Sequence, residues 1–115
     1  MTVKILHNPR CSKSRETLKI IEEQGHTVKI IEYLKDAITE NQLTDILEQL
    51  KLNPCDLLRK GEKIYKELSL SDKSLTDQDL IKTMTEHPIL IERPIVISSK
   101  GARIGRPPES VLEIL

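Results

Sequence analysis

The stretch HNPRCSKSR, residues 7–15, places one cysteine between a short apolar run and the start of a predicted helix. A cysteine is a good nucleophile only as the thiolate, and with a free pKa of about 8.5 only about 3% of the thiol is ionised at pH 7. Because Cys11 lies where a strand gives way to a helix, we expect its sulfur to face unpaired backbone N–H groups and the positive end of the helix dipole. The sequence therefore predicts a lowered pKa and nucleophilic chemistry at Cys11.

The same loop is rich in positive charge. Arg10, Lys13 and Arg15 surround Cys11, and a helix N-terminus binds anions through its backbone N–H groups. The loop thus predicts a site for an oxyanion beside the thiolate. The alternative is that Cys11 is a small buried side chain and that the cations are simply solvated, although a core cysteine seldom has so many cationic neighbours.

Position 14 indicates which thiol chemistry is open to the protein. A dithiol oxidoreductase would have its resolving cysteine there, but the residue is Ser14, so disulfide exchange needs an external thiol. We expect the Ser14 hydroxyl either to hold the Cys11 thiolate or to cap the helix. Cys55, in NPCDLLR, lacks cationic surroundings and is interpreted as structural. No disulfide is expected, and with neither a His-x-x-His nor a paired cysteine pattern no metal site is expected.

Composition excludes several classes of partner. Lys plus Arg and Asp plus Glu number 18 each, so the net charge is zero and no overall field favours nucleic acid or a membrane surface. No apolar run approaches the roughly 18 residues of a membrane span, and the start MTVKIL is not typical of a signal peptide, so a cytoplasmic protein is expected. The 115 residues fit one domain. Because Tyr33 and Tyr65 are the only aromatic residues, we expect an aliphatic core.

The elements that must position the loop begin with a β-α-β pattern. Residues 3–6 form a short β-type run, and the helical pattern after the loop ends at Gly25. Residues 27–34 are typical of a second strand. The opening therefore predicts two parallel strands joined by a helix, and an α/β fold.

The rest of the chain changes character twice. Residues 36–86 are mostly helical, with capping-box patterns that begin at Thr39 and Thr76. Residues 94–104 predict a β-hairpin, and Pro107 lies in the first turn of a last helix. The apolar stripe of that helix is predicted to consist of Val111, Leu112 and Leu115.

Four blocks of the sequence resemble the glutaredoxin-coupled arsenate reductase family, in the order and spacing of that family. They are HNPRCSKSRETL at 7–18, LLRK at 57–60, HPILIERPIV at 87–96 and RIGRP at 103–107. The resemblance covers nearly the whole chain, and the loop RCSKSR is closest to a chromosomal sister group of the family. It implies a thioredoxin-like fold, with a central mixed β-sheet flanked by helices and a helical insertion between the β-α-β half and the hairpin.

This resemblance also implies how the single domain, 1–115, is organised. Its thioredoxin-like core would comprise residues 1–34 and 87–115, and the helical insertion residues 36–86. These limits agree with the elements expected from the residue patterns.

The resemblance further implies an active site. The catalytic cysteine of the family follows H-N-P-x and is Cys11 here, and its three oxyanion-binding arginines are, by motif position, Arg59, Arg93 and Arg106. Guanidinium suits this task, because its planar fork pairs with two oxygens at once and stays charged at every working pH. Without the resemblance, Arg59 could equally be a cation at the end of a short helix.

Other residues of these motifs are expected to support the site. His7 resembles the histidine that assists ionisation of the cysteine, although a histidine at a strand end is as often simply structural. Pro94 resembles the cis-proline that thioredoxin-like folds place beside the active-site thiol. Asn8, Ser14 and Arg15 complete the predicted set.

The reaction implied by the resemblance is reduction of arsenate to arsenite, the chemistry of arsenic detoxification. The Cys11 thiolate attacks bound arsenate, water leaves and a thiol-arsenate adduct forms. Glutathione attacks the adduct and glutaredoxin resolves the mixed species. The expected partners are therefore arsenate, glutathione as electron donor and glutaredoxin, with no cofactor bound to the chain.

Alternative functions remain open on the sequence alone. A monothiol, glutathione-linked oxidoreductase acting on disulfides would need Cys11 but not three convergent arginines. A non-enzymatic regulator that docks on RNA polymerase can share this fold, but such regulators resemble a C-x-x-C switch, which Ser14 removes. A cysteine phosphatase is more remote, because its loop places the arginine further from the cysteine than Arg15 lies from Cys11.

Overall fold

The structure, a computed structural model, describes residues 2–115, which divide into two compact units. The first unit comprises the described residues up to Asp36 together with Arg93–Leu115, and the second is Ala37–Glu92. Within residues 2–115, no helix has the length and apolar character needed to cross a bilayer.

The first unit contains all the strands of the sheet. Its elements are β1 (Thr2–Leu6), α1 (Ser12–Glu23), β2 (Thr27–Ile31), β3 (Ile95–Ser98), β4 (Gly101–Ile104) and a 3-10 helix (Pro108–Ile114). The four strands are ordered β2-β1-β3-β4. β1 pairs in parallel with β2 and antiparallel with β3, and β3 and β4 form a hairpin. The predicted α/β class, β-α-β opening and hairpin are confirmed.

The register of the sheet brings three connections to the same end of neighbouring strands. Leu6, the last residue of β1, lies opposite Ile95, the first residue of β3. Ile95 in turn lies opposite Ile104, the last residue of β4. The loop that follows β1, the turn that precedes β3 and the segment that follows β4 therefore all leave the sheet at this end.

A cluster of buried aliphatic side chains joins the sheet to α1 and to the last 3-10 helix. Its members are Val3, Ile5, Ile21, Val96, Val111 and Ile114. Burying each such side chain stabilises the fold by about 1.5–3 kcal/mol relative to exposure. The expectation of a purely aliphatic core is wrong in one respect, because Tyr33 is fully buried. It lies in the turn after β2, which ends at Ile31, short of the predicted limit at residue 34.

The last helix differs from the prediction in type and in its buried face. The predicted stripe assumed the α-helical period of about 3.6 residues per turn, whereas a 3-10 helix has about three. Pro108, Val111 and Ile114 consequently share the buried face, and Leu112 is 46% exposed. The predicted inward position of Leu112 is therefore wrong.

The second unit is helical. Its elements are α2 (Glu40–Leu50), α3 (Pro54–Leu57), α4 (Lys63–Glu67), α5 (Asp77–Glu86) and a 3-10 turn (Pro88–Leu90). Thr39 accepts a hydrogen bond from the Gln42 backbone N–H, and the Gln42 side chain accepts one from the Thr39 N–H. Thr76 and Asp79 form the same reciprocal pair at the start of α5. Both predicted capping boxes are confirmed.

Candidate active site

Cys11 is the N-cap residue of α1, in an extended conformation with φ −93° and ψ 122°. Its backbone N–H donates to the Asn8 carbonyl at 3.0 Å, and its carbonyl accepts from the Arg15 N–H at 3.1 Å. The backbone N–H groups of Lys13 and Ser14, in the first turn of α1, point to the sulfur. Because that turn contains no acidic residue, no nearby carboxylate of α1 cancels the positive end of the helix dipole.

Two of the predicted arginines lie against the Cys11 sulfur. Arg106 Nη2 donates to Sγ at 3.6 Å, and its Nε donates to the Arg93 carbonyl at 2.8 Å. The Arg93 guanidinium also forms a hydrogen bond with the sulfur. Arg93 precedes β3 and Arg106 follows β4, so the sheet register described above brings both to the loop after β1.

These contacts determine the ionisation of the thiol. Partial burial raises the pKa of Cys11, but the Ser14 N–H, the Arg93 guanidinium and the Lys13 N–H together outweigh burial and hold the pKa below the ordinary cysteine value. Each of these groups interacts more favourably with the thiolate than with the thiol. The site therefore stabilises a nucleophilic sulfur, as the position of Cys11 predicts.

The turn that contains Pro94 is packed tightly against the segment that carries Arg106. The Arg93–Pro94 peptide is cis, and the Pro94 carbonyl accepts from the Gly105 N–H at 2.9 Å. A Cβ atom on Gly105 would lie 2.5 Å from Thr17 Oγ1 and 2.8 Å from Pro94 Cγ. Glycine thus permits the close approach that seats Arg106 next to Pro94.

His7 and Ser14 form a buried pair beneath the loop. His7 Nδ1 lies 2.6 Å from Ser14 Oγ, which also accepts from the Asn8 backbone N–H at 3.0 Å. Burial lowers the pKa of His7, and although the Glu32 carboxylate raises it, the Arg15 guanidinium lowers it again. The lowered pKa favours a neutral imidazole, whose Nδ1 can accept a hydrogen bond from the Ser14 hydroxyl.

Neither role predicted for the Ser14 hydroxyl is the one that the structure shows. Ser14 contributes its backbone N–H to the Cys11 sulfur, while its hydroxyl bonds His7 and Asn8. The N-cap is Cys11 itself. Arg15 Nη1 donates to the Pro9 carbonyl at 2.9 Å and so braces the loop. The Asn8 side chain also stabilises the turn, since Oδ1 accepts from the backbone N–H of the exposed Arg10 at 3.0 Å.

Replacing Ser14 with alanine is expected to lower the free energy of unfolding by about 1–3 kcal/mol, because the buried Asn8 N–H and His7 ring nitrogen lose their partner. Urea denaturation measures the change. Ser12→Ala is the matched control, since Ser12 is exposed in the same helical turn, and its effect should stay within about 0.5 kcal/mol. Equal stability of the two variants would contradict a structural role for the Ser14 hydroxyl.

Arg59 belongs to the second unit, where it follows α3. Its backbone N–H donates to the Leu90 carbonyl at 2.7 Å. Its Nε donates to Glu62 Oε1 at 3.3 Å, and its Nη1 to Glu92 Oε1 at 2.8 Å. Neither glutamate was predicted from the sequence: Glu62 lies outside the quoted motifs, and although Glu92 lies within HPILIERPIV, its pairing with Arg59, 33 residues away, depends on the fold.

Tyr33 is a second residue that the sequence analysis missed. Its hydroxyl interacts with the Arg93 guanidinium, which also binds the Cys11 sulfur. The only signal in the sequence was Tyr33 itself, an aromatic residue near the end of the β-type run 27–34. Because the whole run was interpreted as a strand, Tyr33 was interpreted as a strand residue. Tyr33 thus contributes an interaction to Arg93 from inside the core.

The remaining sulfur and metal predictions concern other parts of the chain. Cys55 is exposed in α3, with Sγ 3.9 Å from Asp56 Oδ1, and both cysteines are free thiols. Among the residues that the structure describes, no three His, Cys, Asp or Glu side chains form a group that could hold a metal ion.

Comparison with known proteins identifies the family. The sequence model of the ArsC family matches residues 6–114. The chain is 46% identical over 116 aligned residues to an arsenate reductase of Haemophilus influenzae, with 100% of both chains covered. It is 50% identical over 114 residues to Escherichia coli YfgD, described as an uncharacterized protein, covering 98% of this chain and 96% of that one.

The solved structures support the same family and fold. An arsenate reductase from Vibrio cholerae superposes with a TM-score of 0.97 at 51% identity, covering 100% of this chain and 98% of that chain. The predicted thioredoxin-like fold and the predicted resemblance are both confirmed. The chain therefore belongs to the ArsC family, whose members include these arsenate reductases.

Proposed function

We propose that this protein reduces arsenate to arsenite with glutathione and glutaredoxin, through a covalent intermediate on Cys11. The observation that carries the proposal is the contact of Arg93 and Arg106 with a sulfur at the N-terminus of α1. A nucleophile and two bidentate oxyanion donors thereby share one small site. Membership of the ArsC family supports arsenate as the oxyanion.

The first step is attack of the Cys11 thiolate on the arsenic atom. An S–As bond forms, an As–O bond breaks, and the departing hydroxyl of dihydrogen arsenate takes up the second arsenate proton and leaves as water. The guanidinium groups of Arg93 and Arg106 and the first-turn N–H groups of α1 stabilise the negative charge on the remaining oxygens. Arsenic is still in the +5 state in this adduct.

Reduction follows when two external thiols act in turn. The glutathione thiol attacks arsenic, so that a second As–S bond forms while an As–O bond breaks, and that oxygen leaves as water with the thiol proton. The glutaredoxin thiolate then attacks the glutathione sulfur, a glutathione–glutaredoxin disulfide forms, and the electron pair of the broken As–S bond reduces arsenic to the +3 state. Hydrolysis of the remaining Cys11–As bond releases arsenite and restores the Cys11 thiolate. Ser14 supports this use of external thiols, because no resolving cysteine follows Cys11 at that position.

The other residues of the proposed site have positioning roles or bind substrate by analogy with the family. His7 is proposed to assist ionisation of Cys11 through the loop that it braces with Ser14. Pro94 seats Arg93 and the Arg106 segment. Arg59 is proposed as the third arginine on the oxyanion because it occupies the corresponding position of the L-L-R-K block.

A coupled assay tests the proposal. Purified protein with arsenate, glutathione and glutaredoxin should produce arsenite, followed as NADPH consumption by glutathione reductase, and omission of glutaredoxin should remove the turnover. A mixed disulfide of glutathione, supplied in place of arsenate, tests the alternative function of a monothiol oxidoreductase. Turnover of that disulfide without turnover of arsenate would replace this proposal with a monothiol oxidoreductase.

A further inference from the structure

The guanidinium of Arg59 lies between two carboxylates that the proposed reaction does not use. The side chains of Arg59, Glu62 and Glu92 are 23%, 24% and 26% exposed. At this degree of burial, water and salt screen their charges less than on an open surface. The cluster therefore contains one cation and two anions at close range, in a chain whose net charge is zero.

Backbone hydrogen bonds build this cluster. A β-bridge joins Leu58 and Ile91. Across it, the Arg59 N–H donates to the Leu90 carbonyl at 2.7 Å, and the Glu92 N–H donates to the Leu57 carbonyl at 2.9 Å. Arg59 therefore lies opposite Leu90, and Glu92, two residues beyond Leu90, is fixed as the diagonal neighbour of Arg59 across the bridge, within reach of a long side chain.

Glu62 is brought to Arg59 by a turn. The Glu62 N–H donates to the Arg59 carbonyl at 3.2 Å. This turn places the Glu62 side chain next to the Arg59 guanidinium. Because the main chain sets the positions of both glutamates, their pairing with Arg59 is a property of the fold rather than of two flexible surface side chains.

An oxyanion at Arg59 must compete with these carboxylates. The Nε–H and one Nη1–H of Arg59 are already directed to carboxylate oxygens. A ligand can use the remaining N–H groups, but its negative charge then lies close to two like charges. A guanidinium in this environment binds an oxyanion less tightly than one without acidic partners.

We propose that Glu62 and Glu92 set the oxyanion affinity of this site, because they compete for the Arg59 guanidinium and so weaken binding of an oxyanion there. This inference rests on the proposed role of Arg59 in binding arsenate. The two carboxylates disfavour any negative charge at Arg59, whether the central atom of the oxyanion is arsenic or phosphorus. They therefore weaken binding of both arsenate and inorganic phosphate.

Glu92→Gln tests the competition, because the amide retains an oxygen acceptor of the same shape and removes the charge. The KM for arsenate is expected to fall about fivefold with little change in kcat, and Glu62→Gln should act in the same direction. Glu67→Gln is the matched control, since Glu67 pairs with Lys63 in the same unit, with Nζ and Oε1 3.6 Å apart, and it should leave KM unchanged. A KM that is unchanged or raised in Glu92→Gln would overturn the inference.

A binding measurement separates this inference from the proposed reaction. In the Cys11→Ser background, the ¹⁵N–¹H resonance of Arg59 Nε is followed during titration with arsenate and, separately, inorganic phosphate. The titration midpoint should fall in Glu92→Gln for both anions. If wild type does not reduce arsenate but the midpoints shift, the proposed function fails and the inference stands. If arsenate is reduced but the Arg59 resonance does not respond to either anion, the inference fails and the function stands.

Discussion

Cys11→Ser is expected to abolish arsenate turnover in the coupled assay, with a loss of about 10³-fold or more. The thiolate at this position is stabilised by the N–H groups of α1 and by Arg93. A serine hydroxyl in the same place remains neutral at any working pH and is a far weaker nucleophile toward arsenic than the thiolate. The loop should still form, because its hydrogen bonds use the backbone of Cys11.

Cys55→Ser provides the matched control for this loss. Cys55 is exposed in α3, and its thiol donates to the Asp56 carboxylate at 3.9 Å. Its replacement should leave turnover unchanged. Circular dichroism and thermal unfolding should show both variants folded, and wild-type activity in Cys11→Ser would eliminate the covalent mechanism.

Features that depend on neighbouring residues were predictable from the sequence. The capping boxes at Thr39 and Thr76 each need only a side chain and a backbone three residues away. The hairpin was predicted from two β-type runs around Lys100 and Gly101, and the turn there has Gly101 at φ 135°. Local structure of this kind can be predicted from short-range patterns, even when the tertiary contacts are unknown.

Features that depend on tertiary register were not predictable. The Ser14 hydroxyl is predicted to hold the Cys11 thiolate or to cap the helix, but folding places it against His7, directly after β1. Tyr33 is a core residue whose hydroxyl meets Arg93. The last helix is 3-10 rather than α. Its period is therefore about three residues, and Val111 and Ile114, three residues apart, share its buried face. The contacts of Ser14 and Tyr33 are made between different elements of the fold, which short-range sequence patterns do not reveal.

Arg93 and Arg106 were identified by their positions in the family motifs and not by physical reasoning from composition. Arg103 and Arg106 lie in the same short motif, RIGRP, and composition does not distinguish them. Arg103 forms an exposed pair with Glu113 at 2.8 Å, whereas Arg106 meets the Cys11 sulfur. Motif position selected Arg106 and Arg93, and the sheet register supplies the physical reason that these side chains meet Cys11.

Arg93→Ala is expected to lower kcat/KM for arsenate by about 10- to 150-fold. The guanidinium makes a charge-assisted hydrogen bond to the sulfur, and a bond of this kind contributes about 1.5–3 kcal/mol. Arg93→Lys should recover only part of the loss, because an ammonium retains the charge but not the fork that pairs with two oxygens. Arg103→Ala, which removes an exposed arginine of the same unit, should leave kcat/KM near the wild-type value.

The pH dependence of alkylation distinguishes loss of substrate binding from loss of thiolate stabilisation. Because the pKa of Cys11 lies below the ordinary cysteine value, the midpoint for reaction of the wild-type thiol with iodoacetamide should lie at a lower pH than that of a free cysteine. Removing Arg93 takes away a group that favours the thiolate, so the midpoint must move to higher pH. Arg103→Ala should not move it. An unchanged midpoint in Arg93→Ala, together with a raised KM, would restrict Arg93 to binding the oxyanion and leave the N–H groups of α1 to ionise the sulfur.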